Sequence, residues 1–301
     1  MTGGYLHRTY RAESPEGPLF LKLYSGPDWP RERVAEACRV QQLLHQAGHP
    51  VPSLLCPPLE VAGGVLVAMA FLPGAPVERP GPATARAAGA ALGRIHRTLQ
   101  PLPVPQPPPV PETGATRAQA AALLAAAQSQ PAPDELDRLA AEAAAFRLRW
   151  LEAHPIQPET YAAAVAHLVH GDYYPGNLLF TAPDRLSGVV DFDFVSVRFR
   201  GLEVGRALVE TALRPDGRFD AGTAAPLLRA YLEENPLPPA ERVSGFRIWL
   251  EYLLWSLYPL PLRYAGAPLP QHAAALARRR HHLLRWLAEH LSDLERLAAT
   301  I

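Results

Sequence analysis

Apolar and polar positions alternate in two short runs near the front of the chain. "YLHRTYRA" and "LFLKLYS" flank "ESPEGP", whose serine, prolines and glycine are turn chemistry, so residues 4–24 are predicted to form a β-hairpin. "DWPRERVAEACRVQQLLHQAG" then changes period. Pro30 suits a first helical turn, and Val34, Cys38, Gln41 to Leu44 and Gly48 mark the helix's course and stop. "GGVLVAMAFL" is short and apolar throughout, the pattern of a buried strand, and "PGAP" at 73–76 breaks it. Beyond Gly74 the pattern turns helical. Residues 83–98 form one predicted helix, with Gly89 and Gly93 placed to let another element approach closely. Further helices are predicted at 116–128, 134–153 and 158–168, and again from 201 onward, broken by proline-rich turns near 236–239 and 259–270. Between 83–98 and 116–128 stands "PLPVPQPPPVP", with seven prolines in eleven positions, which reads as a stiff, polyproline-like surface linker. A strand-rich front before a helix-rich remainder is an α+β, two-lobed pattern, divided as 1–73 and 74–301.

Composition narrows the classes of function. The chain has 301 residues, enough for one large domain or two lobes. Its 29 basic and 29 acidic residues balance, so it offers no strong field to nucleic acid or to an anionic membrane. The longest apolar run, around Val65 to Leu72, is too short to span a bilayer. No basic-then-apolar leader stands at the N-terminus, and the two cysteines, Cys38 and Cys56, are expected to be reduced and buried, which together predict a cytoplasmic protein. Lys22 is the only lysine, and Asn177 is one of two asparagines. A bias toward Arg, Ala and Pro codons explains the scarcity but not where the survivors sit. One lysine among so many arginines marks a place where a compact ammonium is needed and a planar guanidinium fails.

Candidate chemistry concentrates in "HLVHGDYYPGNLLF", residues 167–180. Residues 178–191 read as a second hairpin, "LLF", a turn at "TAPDRLSG", then "VVDF". Asn177 precedes its first strand and Asp191 closes its second, which makes them neighbours at roughly 5 Å by strand spacing. Asp172 lies on the loop leading in. An amide oxygen and two carboxylates converging at one end of a small ribbon suit Mg²⁺, which keeps several waters and usually shares its shell with phosphates.

The spacing His170-x-Asp172-x₄-Asn177 matches the H-x-D-x-x-x-x-N catalytic loop of protein kinases, and Asp191-Phe192-Asp193 stands where that fold has D-F-G. "HGDYYPGNLLF" with "GVVDFDF" resembles the aminoglycoside phosphotransferase and choline kinase family, including its homoserine kinase branch, from about Thr9 to Ala207. The resemblance implies a protein-kinase-like fold, with a small antiparallel β-rich N-lobe carrying one helix and a larger, mostly helical C-lobe. It also implies ATP and Mg²⁺, and a small-molecule hydroxyl as phosphate acceptor. Lys22 then grips the ATP phosphates, and Glu36 is its helix partner. Met69 faces the adenine, with backbone groups of Ala70 and Leu72 bonding its edge. Asn177 and Asp191 hold the metal, Asp172 accepts the substrate proton, and Glu203 in "GLEVGRAL" braces the loop. His170 is a buried scaffold residue, and Asp193 either serves the site or caps a loop. Only Met1 and Thr2 precede Gly3-Gly4, so either the phosphate-covering loop is short or the recorded start is internal to a longer chain.

Two rival readings remain at this point. One is a pseudokinase that binds nucleotide without transferring phosphate. The other is a metal-dependent phosphohydrolase with His170, Asp172 and Asp191 as ligands, which leaves Lys22 without a role. Trp249, Glu251 and Trp255, in "FRIWLEYLLWSLY", read mostly as core, and "RRRHH" at 278–282 as a solvated helix face. From residue 201 on, 12 arginines stand against 11 acids. A polycationic aminoglycoside favours an acid-rich pocket, so this balance tilts the acceptor toward a smaller amino alcohol or sugar.

Overall fold

A computed structural model of the chain describes residues 7–26, 28–270 and 272–301. Its elements gather into two compact units, each made of separate stretches of chain. The first comprises the chain through Pro108, Val165–Pro238 and Ile301; the second comprises Pro109–Ala164 and Pro239–Thr300.

The first unit opens with the expected hairpin, β1 (Arg8–Ser14) and β2 (Gly17–Tyr24), and Gly17 at φ 122° makes the turn. Tyr5 and Leu6 of the predicted strand, and the Gly3-Gly4 pair before them, lie outside the described residues. Helix α1 (Arg31–Gln46) follows Pro30, whose fixed φ suits the helix start. Strand β3 (Leu59–Val61), which no sequence pattern announced, pairs with β4 (Gly64–Ala70). The sheet order is β1-β2-β4-β3, antiparallel throughout. Val34 and Cys38 of α1 pack against Tyr24, Val65, Val67 and Met69, which fixes the helix on one face of the sheet. Cys38 is buried as expected, whereas Cys56 is only half-buried; both are free thiols.

Next in this unit comes α2 (Pro82–Leu99), packed along α6 (Ala221–Glu234). The approach is close at both glycines. A Cβ on Gly89 would meet the Leu227 carbonyl oxygen at 2.0 Å, and one on Gly93 the Tyr231 oxygen at 2.8 Å. Residues 158–168 depart from expectation. A 3₁₀ turn at Pro158–Tyr161 is followed by strand β5 (Ala166–Val169), paired with β8 (Ser196–Phe199). "AHLV" is buried almost throughout, and its strand partner lies some thirty residues on, so tertiary pairing overrides the alanine-rich helical reading. The second hairpin is β6 (Leu178–Ala182) and β7 (Arg185–Val189), and α5 (Arg200–Ala212) follows β8. Backbone bonds between Ala75 and Phe180, at 3.1 and 2.9 Å, join the segment after β4 to this hairpin.

The second unit is helical: α3 (Thr113–Gln128), α4 (Glu135–Ala153), α7 (Pro239–Trp255), α8 (Leu260–Tyr264) and α9 (Ala273–Thr300). Asp134 caps α4 by accepting from the Leu136 and Asp137 amides. Buried Arg147 donates to the Leu253, Leu254 and Ser256 carbonyls, closing the open end of α7. Trp249 and Glu251 are buried, as a core stripe requires. In "RRRHH", Arg278, Arg279 and His282 are exposed as a solvated face requires, and His281 is the exception. It is buried and meets Phe146 edge-on, because it lies on the side of α9 turned to α4. Among the described residues no helix is long and apolar enough to cross a membrane.

Candidate active site

The loop after β5 is built before its reactive side chain is aimed. Gly171 has φ 82°, and a Cβ there would meet the Phe194 carbonyl oxygen at 1.9 Å, so only glycine fits between His170 and Asp172. His170 is fully buried. Its Nε2 lies 3.1 Å from the Val190 carbonyl, and its Nδ1 accepts from the Asp172 amide at 3.2 Å. Both ring nitrogens are therefore engaged, which removes His170 as a metal ligand and undercuts the phosphohydrolase reading. Glu203, from α5, accepts the His170 amide at 3.1 Å and the Gly171 amide at 2.5 Å, and its Oε2 lies 2.8 Å from His96 Nε2. Burial opposes its charge, but the His96 hydrogen bond and the Gly171 amide outweigh it and hold the carboxyl down at about 2. The bracing expected of Glu203 is thus seen directly.

Asn177 ends the 3₁₀ turn Pro175–Asn177 and is buried. Its Nδ2 donates to the Asp172 backbone carbonyl at 2.9 Å and to Asp172 Oδ2 at 3.0 Å, and its own carbonyl accepts from Val190 N at 3.0 Å. A chain of hydrogen bonds therefore runs from Asp172 through Asn177 to the residue before Asp191. Asp191 lies beyond the end of β7 with φ 69° and ψ 67°. Among the described residues, only Asp191 and His272 are non-glycine residues with positive φ. Such conformations persist where the surroundings enforce them, commonly at functional sites.

Lys22, from β2, reaches this loop. Its Nζ lies 2.7 Å from Asp191 Oδ1 and 2.6 Å from Asp193 Oδ2. Asp193 also accepts from the Tyr24 hydroxyl at 2.7 Å and lies 3.1 Å from His7 Nε2. Burial raises the Asp191 carboxyl above its usual range despite the Lys22 ammonium, and the second carboxylate adds to the rise. At Asp193 the balance reverses. Burial alone would raise it, but the contacts from His7, Lys22 and Tyr24 hold it well below the carboxylate range. Glu36 requires a correction. It forms a two-pronged ion pair with Arg39, at 2.9 and 2.6 Å, on the exposed side of α1, and Lys22 has Asp191 and Asp193 as partners instead. Three residues along a helix is a local, sterically available pairing, and it turns Glu36 away from β2.

Met69 is buried beside Gln41, whose Nε2 lies 3.3 Å from its sulfur. The Ala70 amide donates to the Ser53 carbonyl at 3.0 Å, so that amide is already engaged. Leu72 follows at the segment leaving β4, where its Cδ1 limits the space beside Gly188. Among the described residues no cluster of three or more His, Cys, Asp or Glu could hold a metal. The Asn177 and Asp191 pair suits a different kind of metal, a hard cation that completes its shell with phosphate and water. Asn177 commits its nitrogen to Asp172, so its oxygen could serve a cation, and Asp191 meets Lys22 through Oδ1.

Two further groups were not legible beforehand. Arg206, on α5, bonds Asp172 Oδ1 at 2.5 Å, the Gly171 carbonyl at 3.0 Å and Glu210 at 2.8 Å. Its signal was an arginine inside the apolar stripe of "GLEVGRALVE", three residues after Glu203. Tyr24 with His7 forms the second group, and alternation placed Tyr24 on the same face of β2 as Lys22.

A sequence model described as the phosphotransferase enzyme family matches residues 1–243. A homoserine kinase of Xanthobacter autotrophicus is 28% identical over 188 residues, covering 62% of this chain and 54% of that protein. The match thus spans about half of that relative's length. A homoserine kinase of Nitrobacter winogradskyi is 31% identical over 260 residues, covering 80% of this chain and 71% of its own. Among solved structures, an aminoglycoside phosphotransferase from Alicyclobacillus acidocaldarius superposes with a TM-score of 0.66 over 99% of this chain and 94% of that one, at 15% identity. That likeness is one of fold, and it bears out the α+β, protein-kinase-like architecture. With a match that covers most of its length, the chain belongs to the phosphotransferase enzyme family.

Proposed function

We propose that the protein is an ATP- and Mg²⁺-dependent kinase that phosphorylates the hydroxyl of a small amino alcohol in the cytoplasm. The observation that carries this reading is the linked set Asp172, Asn177, Asp191 and Lys22, in which a base, two metal ligands and a phosphate-binding cation share one loop system. Bound MgATP supplies the transferable phosphoryl group. Residues 1–73 grip the nucleotide, with Met69 beside the adenine, the Ala70 carbonyl and Leu72 amide at its edge, and Lys22 neutralising phosphate charge. Residues 74–301 carry the catalytic loop and the acceptor site. Asn177, through its amide oxygen, and Asp191 hold Mg²⁺. Asp172 would accept a hydrogen bond from the acceptor hydroxyl and take its proton as the acceptor's oxygen–phosphorus bond forms and the one to the departing ADP breaks. Most of the rate enhancement is positioning and electrostatics.

The near balance of arginine and acidic residues from 201 onward favours a small acceptor over a polycation, and relatives described as homoserine kinases point to an amino alcohol. The test is calorimetric titration with ATP, with and without Mg²⁺, beside Asp191→Asn, followed by ADP release with homoserine and other small amino alcohols. Metal-dependent binding that the variant loses, with turnover of such an acceptor, is the expected result. Absence of nucleotide binding sinks the kinase reading, and binding without turnover of any acceptor converts it to a pseudokinase.

A further inference from the structure

Lys22 has two acidic partners, and they differ in kind. The Asp191 side chain is 38% exposed and meets Lys22 through one oxygen only. The Asp193 side chain is 3% exposed and has both oxygens occupied, Oδ1 by Tyr24 and Oδ2 by Lys22, with His7 Nε2 3.1 Å from the latter oxygen. Lys22 also sits 5.0 Å over the Tyr24 ring. A carboxylate enclosed this way is shut off from the water that completes a hard cation's shell, and it cannot leave without stranding buried charge. Asp191, half-buried and meeting Lys22 through one oxygen, can exchange partners more readily than Asp193. The helix carboxylate, Glu36, is committed to Arg39 and takes no part.

We propose that Asp193 is the permanent anchor of the phosphate-binding lysine, held in turn by the Tyr24 hydroxyl, and that Asp191 is its exchangeable partner, released to the metal when nucleotide arrives. Asp193 is then a positioning residue that acts through Lys22, and the lysine is aimed from the loop after β7 instead of from α1. The arrangement keeps the ammonium in place at the moment when Asp191 turns away. This inference rests on the reading of Lys22 as the phosphate ligand.

The test compares Asp193→Asn, Tyr24→Phe and Glu36→Gln by calorimetric binding of MgATP, by steady-state kinetics for each substrate, and by Mg²⁺ titration. Asp193→Asn is expected to weaken MgATP binding on the order of tenfold or more and to leave the acceptor KM within about twofold. Tyr24→Phe should shift nucleotide binding in the same direction by less, and it keeps the test open if Asp193→Asn fails to fold. Glu36→Gln should bind nucleotide as the wild type does. Equal weakening by Glu36→Gln, or wild-type binding by both Asp193→Asn and Tyr24→Phe, overturns the anchor while leaving the kinase reading intact. Recovery of Asp193→Asn by raised Mg²⁺ also overturns it, since that marks a metal ligand. A wild-type protein that binds no nucleotide removes the kinase reading itself, and the anchor with it.

Discussion

Asp172 is held at both oxygens, by Arg206 on Oδ1 and by Asn177 on Oδ2. A carboxylate has about four lone-pair sites, so room remains for a substrate hydroxyl while the side chain is locked in one orientation. Arg206 also fixes the loop backbone through the Gly171 carbonyl. Arg206→Met is expected to lower kcat about 10- to 100-fold with nucleotide affinity unchanged, the scale of a misaligned general base. Arg206→Lys should recover little, because one ammonium cannot span three acceptors arranged for a planar fork. Steady-state kinetics beside nucleotide titration check this, and a loss confined to nucleotide KM would contradict it. Asp172→Asn should likewise spare MgATP binding and remove transfer; loss of binding would make Asp172 a metal ligand. At this scale spacing revealed Asp172, Asn177 and Asp191, since one loop and one hairpin bring them together. The lysine's partner was not legible. Lys22 and Asp193 are 171 positions apart, and nothing local announces such a pair, whereas Glu36 has a local arginine that competes for it.

The α2–α6 contact rests on two glycines that the sequence singled out correctly, though not their partner helix. Gly89→Ala places a methyl group against the Leu227 backbone carbonyl, which cannot move aside without shifting α6. The expected destabilisation is about 3 kcal/mol, at the upper end for overpacking. Gly114 is the contrast. It lies in the first turn of α3, and a methyl group added there would have nothing within 4 Å, so Gly114→Ala should stabilise by up to about 0.5 kcal/mol through helix propensity. Chemical denaturation of both variants tests the pair, and a neutral Gly89→Ala would mean that the helices are free to separate. Element type was readable wherever periodicity was sustained, as in α1, α2 and α4. It failed at 158–168, where the mostly buried residues 166–169 take their conformation from a strand partner, and at β3, where three exposed residues carry no pattern of their own.

Over the whole molecule, the balanced charge summed from the sequence does not foretell how stability responds to pH, because single buried groups decide that. Glu251 is 5% exposed, and burial pushes its carboxyl up to about 7, against the pull of the Tyr161 hydrogen bond at 2.7 Å and of Arg247. The unfolded chain releases this proton near 4.5, the ordinary value, while the native state keeps it to about 7. The unfolded state therefore binds fewer protons across that window, and stability falls as pH rises through it. Glu251→Gln keeps an acceptor for Tyr161 and removes the titration. Its stability relative to the wild type should climb between those two values, by on the order of 3 kcal/mol in all. Denaturation at a series of pH values reads this directly, and a pH-independent difference would show that Glu251 is charged throughout.

The sequence by itself determined the family, the loop that carries the candidate base and metal ligands, and the helices whose apolar period persists over several turns. Those features are local, since spacing within a hairpin or along a helix settles which side chains meet. Tertiary structure alone decided that Asp193 and not Glu36 holds Lys22, that Arg206 clamps Asp172, and that 166–169 is a strand. Each of these depends on groups distant in the chain, whose meeting is set by packing and burial, and a one-dimensional pattern does not record which distant charge or strand edge will be nearest.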